Sequence, residues 1–426
     1  MRVLHTESAS GVAVLAAAVL ALIWANSPWA HFYQQLWETP LSLRVGGFVL
    51  SGDLRLWVND LLMAVFFFVV GLEIKREIVH GGLRDPRTAL LPVAGAAGGM
   101  LIPALFYLGL NAGGPGARGW GIPMATDIAF AVGILALLGH RVPTGVRIIL
   151  LTLAIVDDIG AILVIAVFYA RALSLGWLAV AVATVAAVIA MERAHVRALF
   201  PYVVAAGMLW LAVFESGVHA TIAGVVLGLL TPARSFHPPE RVTEPIGSHL
   251  SALRVAPPDG QADEDEQATF MEVTRLANEA ISPLARLQTA LHPWSAFVVV
   301  PLFAFANSGV ALSGGALAHS LSSPITIGVI LGLVVGKPVG IVAAALIAVR
   351  SGRARMPTNI TWGQLAGVAA LGGVGFTVSI FIAGLAFPAP DAVDAAKIGI
   401  LIASALAGLI GAVVLLATSK RRADTS

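Results

Sequence analysis

Along most of the chain, polar positions neither alternate with apolar ones nor recur every third or fourth place. They gather at the ends of long apolar runs. A run of roughly 20 such residues is long enough to cross a bilayer as a helix. Runs of this kind stand near residues 10–30, 57–74, 88–110, 119–140, 148–170, 174–191, 199–213, 217–231, 290–312, 325–349, 358–388 and 396–418. The pattern predicts an all-α polytopic membrane protein with twelve transmembrane helices, a single transmembrane domain over residues 1–426. The runs are continuous, which favours helices over a barrel of alternating strands. The first run reads as a retained helix rather than a signal peptide. One Arg precedes it, and Trp24 and Trp29 form an interfacial belt at its end.

Two segments depart from the helical pattern. Residues 40–56, "PLSLRVGGFVLSGDLRL", alternate around Gly46-Gly47 and predict a β-hairpin in an outside loop. Its edge is either a contact with a second copy of the chain or a solvated surface. Residues 232–283 are rich in Pro and acids, with "DEDE" at 263–266. They read as a mobile cytoplasmic linker between two halves of the bundle.

Composition agrees with a membrane protein. The chain is 58% hydrophobic and 12% charged, against about 25% charged in a soluble domain, and mean hydropathy is +0.88. A net charge of +2 argues against a strongly basic nucleic-acid surface, so no nucleic-acid partner is expected. The absence of cysteine excludes disulfide and thiolate chemistry. Charge placement also orients the chain. With the N-terminus inside, 20 of the 26 Lys and Arg fall in inside segments and five in outside ones, Arg44, Arg55, Arg118, Arg171 and Lys397. That asymmetry predicts cytoplasmic termini and leaves Lys337 alone within a span.

Four ionisable residues fall deep in the predicted spans: Asp127, Asp157, Asp158 and Lys337. Each costs about 2.5–3.5 kcal/mol on insertion scales if uncompensated. One Lys neutralises one Asp, not three, so at least two carboxylates must be protonated, hold a cation or face water. That pattern points to an ion or proton site rather than a fixed helix–helix bridge. Neighbouring helical residues point about 100° apart, so Asp157 and Asp158 must differ in role. One faces a cavity and the other a neighbouring helix; sequence alone does not say which. A carboxylate that holds either H⁺ or Na⁺, a hard cation that prefers oxygen ligands, is the minimal form of an exchanger.

Two spans carry interruptions. "GWGIPMATDIAFAVG" (119–133) has Pro123 followed by Thr126 and Asp127. "LAGVAALGGVGFTVSIFIAG" (365–384) has Gly372, Gly373 and Gly375 just before Thr377. One interrupted span in each half is the pointer to a midplane site in an inverted-repeat transporter. Asp127 is placed to offset positive helix ends and Lys337 negative ones.

These stretches, with "NDLLMAVFFFVVGLEIKREIVHGGL" (59–83), "AIVDDIGAILVIAVFY" (154–169), "GVHATIAGVVLGLLTP" (217–232), "LHPWSAFVVVPLFAFANSGV" (291–310) and "VGKPVGI" (335–341), resemble the NhaA-type sodium/proton antiporters over nearly the whole chain. The resemblance implies inverted repeats with two crossing broken helices, the fourth and the eleventh. It also implies electrogenic exchange of two H⁺ inward for one Na⁺ or Li⁺ outward, by alternating access in a bacterial inner membrane. Asp158 would be the principal cation ligand and Asp157 its neighbour paired with Lys337; Asp127 and Thr126 would sit at the broken fourth helix. A homodimer through residues 40–56 is implied, with Na⁺, Li⁺, H⁺ and the lipid bilayer as partners and no cofactor. Glu73, Lys75, Arg76 and Glu77 match part of a cytoplasmic pH-response cluster, although Gln288 replaces an acid associated with that response. His219 and His292 read as packing histidines. An intramembrane enzyme fits less well. A prenyltransferase wants two Asp-rich segments at helix ends, and an aspartyl protease wants a Gly-x-Gly-Asp motif; neither is present.

Overall fold

The computed structural model describes the chain apart from Met1 and residues 46–47, 171, 197, 236–238, 253–263, 313, 358–359 and 421–426. Among the described residues, eight helices are long and apolar enough to cross a membrane: Leu54–His80, Pro86–Asn111, Ala117–Leu138, Thr144–Phe168, Leu175–Arg193, Pro283–Asn307, Pro324–Arg350 and Pro390–Ser419. Counting each of two bent pairs as one span raises the number to ten. These pairs are Ala9–Ala25 with Ala30–Trp37, at 118°, and Trp362–Gly372 with Phe376–Ala386, at 44°. Leu199–Glu215 and Thr221–Leu230 are apolar but short. The protein is a multi-pass helical membrane protein with one small two-stranded sheet.

Glycine sets how closely some of the helices approach. The helix Pro86–Asn111 packs along Lys337–Arg350, and a Cβ on Gly98 would run into the Gly340 carbonyl and Ala344. Membrane helices gain little from hydrophobic burial against one another, so small residues that permit close backbone contact do much of the joining. Besides the π-helical turn Val58–Leu62 in the span Leu54–His80, two further spans contain one, Ser295–Val299 and Gly332–Gly336. In each of these two, a proline four residues after a carbonyl in the turn, Pro301 or Pro338, has no N–H to give it. The turn Gly332–Gly336 ends immediately before Lys337.

The hairpin comprises Pro40–Val45 (β1) and Phe48–Asp53 (β2), antiparallel, with Pro40 opposite Asp53 and Val45 opposite Phe48. Gly46 and Gly47 lie outside the described residues. The expected segment 40–56 is too long at its end. Asp53 accepts a hydrogen bond from the Leu56 N–H (2.7 Å) and so caps the helix that begins at Leu54.

Three further expectations change. Residues 232–283, expected as a linker between the halves, hold helices Pro239–Ala252 and Glu264–Ala280 in their described part. The second is supported by Arg275, which bonds Glu272 and Glu279 one turn away on either side. Lys397, placed in an outside segment, lies within the helix Pro390–Lys420 and is buried. Asp60, not counted among the charges in spans, lies within Leu54–His80 with its carboxylate 3.5 Å from His219 Nε2. Both were masked in sequence by their position near the end of an apolar run.

Candidate functional site

The site forms where the two interrupted spans meet. In the first, a 3-10 segment, Ala117–Met124, gives way to three extended residues before the helix Ile128–Leu138. Pro123 has no backbone N–H to donate there, and the Thr126 and Asp127 side chains meet backbone groups freed at the two breaks, the Gly372 carbonyl and the Phe130 and Thr377 N–H groups. In the second, Trp362–Gly372 ends and Phe376–Ala386 begins after a short non-helical link. The Asp127 N–H donates to the Val374 carbonyl at 2.7 Å, stitching one break to the other. Gly373 and Gly375 have ordinary negative φ. Their purpose is space: a Cβ on Gly373 would strike the Leu333 carbonyl, and one on Gly375 would press on Ser379 and the Ala125 carbonyl.

Around this crossing, all four buried charges of the sequence analysis converge. Lys337, fully buried, places Nζ 2.5 Å from Asp157 Oδ2, also fully buried. Lys337 Nζ also donates to the Met124 carbonyl, at the C-terminal and hence electronegative end of the 3-10 segment. Asp127 is the N-cap of Ile128–Leu138: Oδ1 accepts from the Phe130 N–H at 2.9 Å. Its Oδ2 accepts from the Thr377 N–H (3.0 Å) and Oγ1–H (2.6 Å), at the start of Phe376–Ala386. Thr126 Oγ1 lies 2.6 Å from Asp157 Oδ2 and 2.8 Å from the Gly372 carbonyl. A hydroxyl carries one proton, so it cannot donate fully to both.

Asp158 stands apart. It is 3% exposed, yet its carboxylate makes no hydrogen bond or ion pair among the described residues. It lines a cavity of about 530 Å³, together with Thr126, Asp127 and Thr377. Asp157 does not line the cavity. The helix Thr144–Phe168 thus turns one aspartate to the cavity and the other to Lys337, as the 100° step requires.

The GLEIKRE group divides. Glu73, Arg76 and Glu77 line the same cavity, whereas Lys75 does not. Glu77 is anchored by the Gly82 N–H (2.7 Å) and lies 3.4 Å from Thr152 Oγ1. Gln288 and His292 reach the cavity from the Pro283–Trp294 helix. His219 does not; its ring meets Phe381 edge-on at 5.0 Å and its Nδ1 lies 3.2 Å from Thr221 Oγ1. Sequence reasoning passed over two small hydroxyls at the breaks. Ser379 donates to the Ile122 carbonyl (2.8 Å), and Ser404 accepts from the Phe376 N–H (3.2 Å). Their only sequence signal is a hydroxyl inside an apolar run.

Buried charges gathered at two interrupted spans, beside a cavity, define the class: a helical membrane protein with an ionisable intramembrane site. The family profile described as "Na+/H+ antiporter 1" matches residues 1–415. Na(+)/H(+) antiporter NhaA of Rhodopirellula baltica is 47% identical over 417 residues, covering 98% of this chain and 93% of the relative. Na(+)/H(+) antiporter NhaA 2 of Sorangium cellulosum is 45% identical over 413 residues, 97% of this chain and 88% of the relative. The NhaA 2 antiporter of Myxococcus xanthus is 46% identical over 424 residues, 99% and 90%. The chain belongs to the Na+/H+ antiporter 1 family.

Proposed function

We propose that this protein exchanges Na⁺ or Li⁺ for H⁺ across a bacterial inner membrane, exporting the cation and admitting protons. The proposed frame is twelve spans with inverted repeats, cytoplasmic termini and the two broken spans crossing at the site. The observation that carries the reading is Asp158, a buried carboxylate that lines a cavity and has no hydrogen bond or ion pair among the described residues. Such a group must be neutralised by a proton or by a cation, and both cannot occupy it at once.

In this mechanism Asp158 is the principal ligand, with Thr126 and Asp127 bordering the bound ion. Asp157 and Lys337 form the charge-compensating, proton-linked pair. Their separation lets the site change charge without moving the ammonium out of the protein. Loading more than one proton for each Na⁺ makes the exchange electrogenic. Glu73, Arg76 and Glu77 line the access path and tune its response to pH, and Gln288 and His292 line it beside them. The hairpin, residues 40–53, is the surface through which two copies pair.

The test is Na⁺-driven proton movement in proteoliposomes, with Na⁺, Li⁺ and K⁺ added across a pH series. Wild type should move protons with Na⁺ or Li⁺, and Asp158→Asn should not. Exchange retained in that variant would sink the assignment.

A further inference from the structure

We propose that Thr377 is a positioning residue for the exchange: by donating twice to Asp127 it fastens the second chain break to the first and keeps Asp127 from competing for the cation. The inference rests on the exchange reading above and adds a residue and a role to it.

An ionised carboxylate offers roughly four acceptor sites. Three on Asp127 are taken, by the N–H groups of Phe130 and Thr377 and by the Thr377 hydroxyl. Those donors come from the first turns of two different helices, Ile128–Leu138 and Phe376–Ala386. Asp127 is therefore a joint cap for both. Asp158 lines the same cavity and makes no hydrogen bond or ion pair among the described residues. A cation that needs several oxygens meets one committed carboxylate and one free one.

Thr377 is what makes the commitment two-sided. Its backbone N–H belongs to the helix start and would persist in any residue except Pro. Its hydroxyl is the only part a substitution removes, and at 2.6 Å it is the shortest contact Asp127 makes. Without it, Oδ2 keeps a single donor. The side chain, which already borders the cavity, becomes free to turn in and compete with Asp158 for H⁺ and Na⁺. The bond between the two breaks then rests on backbone contacts, including Asp127 N–H to Val374.

Thr377→Val and Thr377→Ser in proteoliposomes test this, with turnover, half-saturating Na⁺ and the pH profile measured for each. T377V should lose about tenfold in turnover, from one hydrogen bond to a charged group, with half-saturating Na⁺ and the pH profile both displaced. T377S should stay within about twofold of wild type, because it keeps the hydroxyl. If T377V does not insert, Thr377→Ala removes the same hydroxyl and carries the comparison. Wild-type kinetics in T377V or T377A overturn the proposal. So does equal impairment of T377S, or a lowered melting temperature with unchanged kinetics in the folded protein. Asp158→Asn is run alongside: retained exchange there refutes the ligand assignment, whereas failure at Thr377 alone leaves that assignment standing.

Discussion

The Lys337 ammonium lies 2.5 Å from the Asp157 carboxylate, and neither side chain reaches solvent. The two residues come from different helices and meet at the break of a third. With Lys337 committed to Asp157, Asp127 is held by neutral donors, and Asp158 has neither an ion pair nor a hydrogen bond among the described residues.

Removing one partner of such a pair leaves an uncompensated buried charge. Lys337→Ala should lower stability by about 3–5 kcal/mol and alter the pH profile of exchange. The double variant with Asp157→Asn should recover part of the stability, because it removes both charges. Thermal unfolding in detergent measures both. Unchanged melting temperature and pH profile in K337A would show that the pair contributes nothing.

Asp158→Asn should behave in the opposite sense. No protein hydrogen bond or ion pair is lost among the described residues and a buried ionisable group is removed, so the melting temperature should not fall while exchange disappears. A large destabilisation would mean that Asp158 carries a structural contact.

Gly98→Val tests the helix contact on which Lys337's placement depends. The added side chain meets the Gly340 backbone carbonyl, which cannot swing aside as a flexible side chain would. Overpacking of this kind costs about 1–3 kcal/mol or more. The expected result is a lowered melting temperature with reduced exchange. Wild-type stability would show that the helices have room to separate.

Outside the membrane, Arg275 holds the Glu272 carboxyl below its ordinary range, chiefly through their hydrogen bond. A depressed folded-state value means that the pair stabilises the helix Glu264–Ala280 above the ordinary carboxylate range. That support is lost as pH falls through the lowered value. Hydrogen exchange across residues 264–280 should therefore quicken slightly on acidification, and less so in high salt, since both groups are exposed. Exchange independent of pH, after correction for its intrinsic rate, would remove the pair from the account.

Neutralising Asp263, Glu264, Asp265 and Glu266 should leave proteoliposome exchange at the wild-type rate if this segment only joins the halves. A loss would make it part of regulation. Asp263 lies outside the described residues, so the prediction rests on the acidic run in the sequence.

The sequence by itself determined that this chain lives in a bilayer, where its apolar runs lie, and that Asp127, Asp157, Asp158 and Lys337 needed an explanation. It did so because lipid offers no partner to a backbone group or a charge, so every exception to apolarity is conspicuous. Helical geometry alone required Asp157 and Asp158 to face different surroundings. What it did not contain was which neighbour each would meet. That Lys337 reaches Asp157 and the Met124 carbonyl, that Thr377 meets Asp127, and that Asp158 opens on the cavity were decided by the crossing of two breaks some 250 residues apart in sequence. Ends of apolar runs were the other blind spot. Lys397 was placed outside by its position near the end of a run, and only the packed helix buries it, while Asp60, near the end of another run, lies within a span beside His219. A charge near the end of a run can sit in water or in protein, and periodicity carries no information about the distance to the nearest neighbouring helix.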